Sequence, residues 1–263
     1  MLVRVNNFSM AYDDHGQGQP LLLIHGFPLN RTLWEPQIRE LSNAARVLAP
    51  DLPGSGGSDP VPGPYSMDML ADDCHALLEE IGVKQPAVIC GLSMGGYITL
   101  AYYRRYPRQV AGLVLAATRA GADSPAGKAN RDQMAAMAEE QGASAVANEL
   151  LPKMLSPRTY ASDPELVEGV KQILKSNSVR GIVGALMGMK ERPDSTAMLE
   201  EIEVPTLIIH GVDDQLIPMT EAKSMHAAIQ DSQLHAVPEA GHLLNLEQPE
   251  LFNQAIREFL QSL

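Results

Sequence analysis

The sequence predicts an α/β fold: a mostly parallel central sheet of about eight strands, flanked by helices and interrupted by an inserted helical lid. Three observations predict it. Unbroken apolar runs, such as Leu21-Leu22-Leu23-Ile24 and Val110 to Ala117, contain no polar side chain, as suits strands covered on both faces. Such runs alternate with helix-compatible segments of about ten to sixteen residues, the rhythm of βαβ units. From about Ala122 to Glu200 the rhythm stops, and helical segments follow one another with no strand between them.

Leu2 to Val5 and Phe8 to Tyr12 read as short strands joined by an Asn6-Asn7 turn. His15 to Gly18 reads as loop. Pro20 then leads into the apolar run at 21–24, which ends in His25-Gly26-Phe27-Pro28. Ala45 to Ala49 is the next strand and ends in the turn-rich Asp51-Leu52-Pro53-Gly54-Ser55-Gly56-Gly57-Ser58. Ser66 to Ile81 is the clearest helix: Met67, Leu70, Cys74, Leu77, Leu78 and Ile81 share one face, with Ser66 placed to cap it and Gly82 to end it. A strand ending at Gly91 follows, then a helix from Tyr97 to Tyr106 and the strand at 110–117. Helices are expected at Lys128–Glu140, Ala143–Leu151, Pro164–Leu174 and Val179–Met189. The sheet rhythm resumes with a strand at Pro205–His210, a helix at Thr220–Ile229 and a strand at Gln233–Val237. Pro249 opens a last helix with Leu251, Phe252, Ala255, Ile256, Phe259 and Leu260 on one face. Residues 1–121 and 200–263 therefore form a core domain, and 122–199 a helical lid.

Composition narrows the partners. The 263 residues are 45% hydrophobic, enough for one full core, and carry a formal net charge of -12. An acidic chain without a basic run fits neither nucleic acid nor an anionic membrane, both of which reward Lys and Arg clusters. Cys74 and Cys90 sit in apolar segments and read as small buried hydrophobes. The first ten residues lack a secretory apolar region, and no stretch approaches the roughly 18 apolar residues of a membrane span. A cytoplasmic protein is the expectation. No Gly-x-Gly-x-x-Gly opens a helix and no metal-ligand spacing occurs, so neither cofactor nor metal is expected.

The chemistry concentrates at strand ends. Gly91-Leu92-Ser93-Met94-Gly95 is a G-x-S-x-G pattern between a strand and a helix, which places Ser93 on a tight turn with its hydroxyl exposed. A serine hydroxyl is a weak nucleophile and needs a base, itself oriented by an acid. Of seven histidines, His75 reads as solvated on its helix, His226 as a surface residue, and His15 and His235 as unpartnered. His210 closes a strand and reads as a core or loop residue. His242 follows the strand at 233–237, at the carboxyl edge where such sheets place reactive groups, and is the candidate base. The strand at 205–210 is followed by Asp213-Asp214, two adjacent candidate acids. Ser, Asp, His is the chain order of this strand-turn-helix nucleophile class. Methionines 134, 137, 154, 187, 189 and 198 gather in the lid and can form an adaptable apolar wall. Met134, Met137 and Met187 are the candidate substrate contacts among them.

On these residues the chain resembles the α/β-hydrolase superfamily. It is most similar to the carboxylesterase, enol-lactonase and cofactor-free perhydrolase group typified by 3-oxoadipate enol-lactonase. The resemblance runs through His25-Gly26-Phe27, Asp51 to Ser58, Gly91 to Gly96, Gly211 to Pro218 and Gly241-His242. It implies hydrolysis of a carboxylic ester or lactone of a small, largely apolar substrate through an acyl-enzyme. In such relatives the acid lies three residues after the strand-end glycine and four before a proline, which selects Asp214 over Asp213. It also implies an oxyanion hole from the backbone N–H groups of Met94 and Phe27, with His25, Gly26, Gly91 and Gly95 shaping the supporting turns. Serine at 93 argues against haloalkane dehalogenase or epoxide hydrolase chemistry, which uses aspartate there. Perhydrolase chemistry, carbon–carbon bond hydrolysis and a non-catalytic ligand-binding role remain compatible with the same residues. An enol-lactonase needs a cation for its substrate carboxylate, and Arg119, Arg131, Arg158 and Arg180 are the candidates, Arg119 foremost.

Overall fold

The computed structural model describes residues 1–263. Its first strands, β1 (Leu2–Val5) and β2 (Phe8–His15), pair antiparallel with Val5 opposite Phe8. Asn6 makes the turn at φ 49°, a left-handed conformation that Asn tolerates. The second strand runs three residues past the expected Tyr12, through Asp13 and Asp14. Those carboxylates are not loop residues: Asp14 Oδ2 accepts from Arg46 Nη2 at 2.7 Å and Asp13 Oδ2 from Arg31 Nε at 3.1 Å. Ion pairing at the sheet edge replaces the apolar signal that a strand search relies on.

The core continues through β3 (Pro20–Ile24), α1 (Glu35–Leu41), β4 (Arg46–Pro50), α2 (Met67–Glu80), β5 (Ala87–Leu92), α3 (Met94–Arg105) and β6 (Val110–Ala116). Five helices follow without a strand: α4 (Pro125–Gln141), α5 (Ala143–Met154), α6 (Pro157–Ser162), α7 (Pro164–Lys175) and α8 (Val179–Lys190). The sheet resumes with β7 (Thr206–Gly211), α9 (Met219–Ala228) and β8 (Ser232–Val237), and the chain closes with α10 (Leu244–Glu247) and α11 (Pro249–Ser262). The eight strands order as β1-β2-β4-β3-β5-β6-β7-β8. All pairings from β4 onward in that order are parallel, and β1 and β2 form the antiparallel edge. Strands β3 and β5 are buried at every position, which is why they read as continuous apolar runs. No helix is long and apolar enough to cross a membrane.

Two features depart from the sequence expectation. Helix α1 has only seven residues and buries a glutamine, Gln37, whose amide bonds Asn253 Oδ1 and the Asn245 carbonyl, both at 3.0 Å. A short helix anchored by polar contacts shows no apolar period. His75 is not solvated: its ring stacks on Tyr106 with centroids 3.8 Å apart, because α2 and α3 lie side by side and turn that flank of α2 inward.

Helix α2 also carries a buried carboxylate. Ser66 Oγ caps its first turn by accepting from Met69 N–H at 3.1 Å. Asp73 accepts from Asn6 Nδ2 at 2.6 Å through Oδ1, while Oδ2 is buried without a partner. Burial pushes the Asp73 carboxyl up to about 6, against the opposing bond from Asn6. A carboxyl raised in the folded state favours folding below its unfolded value. That contribution disappears as pH rises through about 6. Asp73→Asn removes the titration, so the stability difference between variant and parent is expected to move by about 1–2 kcal/mol in the variant's favour from pH 4 to pH 8. Urea unfolding at the two pH values measures it, and a difference independent of pH contradicts the assignment.

Candidate active site

Four strand ends converge at the carboxyl edge of the sheet, where α/β folds collect their reactive groups. Strand β5 ends at Leu92, and Ser93 turns the chain into α3 with φ 57° and ψ -114°. A non-glycine residue there costs about 1–3 kcal/mol and persists only where its surroundings impose it. They do. Ser93 N–H donates to Ala116 O at 2.9 Å, and its carbonyl accepts from Thr118 Oγ1 at 2.8 Å. A Cβ on Gly91 would strike the Gly95 carbonyl, and one on Gly95 would strike that of Ile24. The two glycines therefore let β5, α3 and β3 approach to backbone contact. The Ser93 hydroxyl bonds nothing within the protein. It lies over the N-terminus of a twelve-residue helix, where the peptide dipoles favour negative charge.

The loop after β3 lies against this turn, since a Cβ on Gly26 would sit 3.2 Å from Ser93 Cβ. His25 fixes that loop from inside. Its Nε2 accepts from Leu52 N–H at 3.0 Å, leaving Nδ1–H to meet the Gly26 carbonyl at 2.8 Å. Burial lowers the His25 pKa and keeps the ring neutral, as this two-sided arrangement requires. Phe27 lies outside any helix or strand and Met94 is the first residue of α3. Neither backbone N–H has a partner among the hydrogen bonds of turns, loops and caps. Two free donors thus flank Ser93.

Asp214 follows β7 with its side chain fully buried, whereas Asp213 beside it is exposed. Asp214 Oδ1 accepts from the N–H groups of Leu216 (2.8 Å) and Ile217 (3.0 Å), and Oδ2 meets His242 Nδ1 at 2.8 Å. Burial opposes ionisation, but the His242 ring and the two N–H donors outweigh it and hold the carboxyl below the ordinary carboxylate range. The acceptor carboxylate places the imidazole proton on Nδ1, so Nε2 is the free basic nitrogen. The loop carrying His242 is itself fixed. Glu247 accepts from Gly241 and Ser156 N–H groups, each at 2.8 Å, and Leu243 N–H donates to Met154 O at 3.0 Å. Sequence reasoning left His210 open. It is buried next to Asp214, with Nε2 2.9 Å from Ile217 O and 3.6 Å from Asp214 Oδ2, and burial lowers its pKa.

Ser93, His242 and Phe27 share a cavity of about 130 Å³ with Tyr97, Arg119, Arg131, Leu150, Met154, Met189, Leu216 and Ile217. A wider cleft of about 530 Å³ adjoins it through Arg119, Arg131, Leu150 and Leu216. Met134 and Met137 line that cleft and not the Ser93 cavity. Met187 lines neither and packs on the core. On α8 it is Met189 that reaches the cavity, since residues two apart on a helix face different ways. Arg158 pairs with Glu239 on the exterior. Missed altogether was Asp123, a buried carboxylate beneath Arg119 and Arg131. Its position four residues after one arginine and eight before the other was the available signal. Asn177, at the α7–α8 junction, was also unforeseen. It bonds the Pro28 carbonyl at 2.5 Å and Gly56 N–H at 3.0 Å, pinning the insertion to the loop beside Ser93.

The chain is similar to known proteins along most of its length. A thermophilic esterase from Thermogutta terrifontis is 40% identical, superposes with a TM-score of 0.97, and is matched over 100% of this chain and 98% of its own. A hydrolase from Pseudomonas aeruginosa is 30% identical with a TM-score of 0.91, covering 99% and 97% of the two chains. The 3-oxoadipate enol-lactonase 2 of Acinetobacter baylyi is 29% identical over 256 residues, 96% of this chain and 93% of that protein. A family model described as the alpha/beta hydrolase fold matches residues 19–249. With that match spanning most of its length, the chain belongs to the α/β hydrolase fold family.

Proposed function

We propose that the chain is a serine hydrolase that cleaves a carboxylic ester or lactone of a small, largely apolar substrate through an acyl-enzyme. The observation that carries this reading is the Asp214–His242 pair, bonded at 2.8 Å in one cavity with a serine held on a strained, glycine-flanked turn. His242 Nε2 takes the Ser93 proton as Oγ attacks the acyl carbon. Asp214 fixes the ring tautomer and stabilises the imidazolium that forms. The carbonyl oxygen, now an oxyanion, meets the N–H groups of Phe27 and Met94, and each such donor is worth roughly 3 kcal/mol in the transition state. His242 then returns the proton to the leaving alkoxide and activates the water that cleaves the acyl-enzyme.

The helical insertion, residues 122–199, serves in this reading as a lid that closes the acyl site with Leu150, Met154 and Met189. A cavity of about 130 Å³ admits a short acyl group and leaves the rest of the substrate to the wider cleft. The relatives support the substrate class, an esterase and an enol-lactonase both acting on ester bonds. Steady-state hydrolysis of p-nitrophenyl acetate and butyrate without added cofactor tests the proposal. Turnover of the short esters, falling for longer acyl chains, is the expected result. Saturable ligand binding without turnover of any ester would make the chain a binding protein.

A further inference from the structure

The helical insertion meets the loops of the acid and the base at one short stretch, Met154 to Ser156, where α5 ends and α6 begins. Each of these three residues has a backbone group bonded outside the insertion. Met154 O accepts from Leu243 N–H at 3.0 Å, and Leu155 O accepts from Gln215 Nε2 at 3.0 Å. Ser156 N–H donates to Glu247 Oε2 at 2.8 Å. Gln215 directly follows Asp214, and Leu243 directly follows His242. The stretch is also a wall of the acyl site, because Met154 lines the Ser93 cavity.

Glu247 holds this join. It ends α10, and its Oε1 accepts from Gly241 N–H at 2.8 Å while Oε2 accepts from Ser156, so one carboxylate spans the two segments. Neither N–H has another partner. Ser156 is the N-cap of α6 and Gly241 lies outside any helix or strand. A carboxylate suits the position because both of its oxygens accept and both bonds are charge-assisted. The segments touch without a gap: a Cβ on Gly241 would lie 2.5 Å from Ser156 N and 2.7 Å from Leu155 C. On the other side, a Cβ on Gly211 would strike the Gly241 carbonyl. Gly241 is thus enclosed by backbone and cannot shift without the insertion, and His242 is its neighbour. The exposed Arg158–Glu239 pair joins the same segments from outside, where such pairs contribute little.

We propose that Glu247 is a positioning residue that couples the acyl-site wall at Met154 to the placement of His242, so that acyl length is sensed in kcat and not only in binding. The proposal rests on the serine hydrolase reading and adds to it the means by which chain length is sensed. Glu247 touches neither substrate nor reacting atoms. An acyl chain too long for the cavity presses on Met154. Through Ser156, Glu247 and Gly241 that pressure moves His242 away from the Ser93 hydroxyl. A short chain leaves the base in place. Misplacement of a reacting group by about 1 Å costs on the order of 10²-fold in rate, so a small shift suffices.

Glu247→Gln isolates the coupling: the side chain keeps its shape, but its NH₂ cannot accept, so one of the two N–H bonds is lost. The test measures kcat and KM for p-nitrophenyl acetate, butyrate and hexanoate, per active site titrated with a fluorophosphonate. Titration removes the contribution of unfolded protein. In the parent, kcat is expected to fall about tenfold or more from acetate to hexanoate. In Glu247→Gln, kcat for acetate should fall about tenfold or more with KM within about twofold. The acetate-to-hexanoate ratio of kcat should shrink about threefold or more, because the wall now yields without moving the base. Glu247→Asp, still charged but one methylene shorter, should shift both quantities in the same direction. In a Met154→Ala background, where the wall is cut back, Glu247→Gln should leave the ratio unchanged. A parent kcat independent of acyl length, or a loss in Glu247→Gln by one factor for every ester, overturns the proposal while the hydrolase reading stands. Absence of ester hydrolysis by the parent chain removes that reading and the proposal with it.

Discussion

Ser93→Ala is expected to lower kcat for any ester the chain hydrolyses by about 10⁴-fold or more, to the level left by the oxyanion donors and binding alone. The basis is that every other group at the site needs the serine oxygen. In the proposed mechanism His242 has no other proton to accept in the attack step, and the Phe27 and Met94 N–H groups would act only once a tetrahedral oxyanion exists. The fold should not suffer. The Ser93 hydroxyl bonds nothing within the protein, and the turn is held by backbone contacts to Ala116 and Thr118. Alanine keeps those contacts and the same backbone strain, so unfolding stability is expected within about 1 kcal/mol of the parent. Parallel kinetics and urea unfolding check both halves. An alanine variant that retains more than a few per cent of kcat would contradict the role assigned to Ser93.

Asp214→Asn is expected to lower kcat by about 10³–10⁴-fold, while Asp213→Asn changes it by about threefold at most. The two residues are adjacent and chemically identical, so the contrast isolates position. Asp213 is exposed. Asp214 is buried, accepts two backbone N–H bonds through Oδ1 and directs Oδ2 at His242 Nδ1. An asparagine keeps the Oδ1 bonds to Leu216 and Ile217 and therefore turns its NH₂ toward the ring. His242 then presents an acceptor at Nδ1, its proton moves to Nε2, and the ring cannot take the Ser93 proton. The carboxyl of Asp214 is held below the ordinary range, so its protonation does not limit activity near neutrality. A larger loss in Asp213→Asn than in Asp214→Asn would reassign the acid.

The parallel strands and the reactive strand ends were legible from sequence because burial on both faces writes an unbroken apolar run. β3 and β5 are examples, and each ends in a glycine-containing turn. The alternative acids at 213 and 214 could not be separated from residue type. The resemblance to related hydrolases selected Asp214, and only the structure shows which one is buried. Short elements held by polar contacts stayed hidden: α1 with Gln37, α6, and α10 with Asn245 carry too few residues to display a period. The insertion was readable as helices but not as a surface. Helix α8 is apolar on nearly every side, so nothing in Val179–Lys190 tells Met187, which packs on the core, from Met189, which lines the cavity. Asp123 escaped notice for a related reason. A lone carboxylate beside arginines reads as a solvated pair until the fold brings Arg192 in from the far end of the insertion.

The central claim is that Ser93 is the nucleophile, and its most direct test is covalent. After incubation with a fluorophosphonate, intact-mass spectrometry is expected to show one added phosphonyl group. Peptide mapping should place it on Ser93, with loss of esterase activity in proportion and no labelling of Ser93→Ala. A chain that keeps full esterase activity while unlabelled, or that is labelled at another residue as activity falls, would contradict the account.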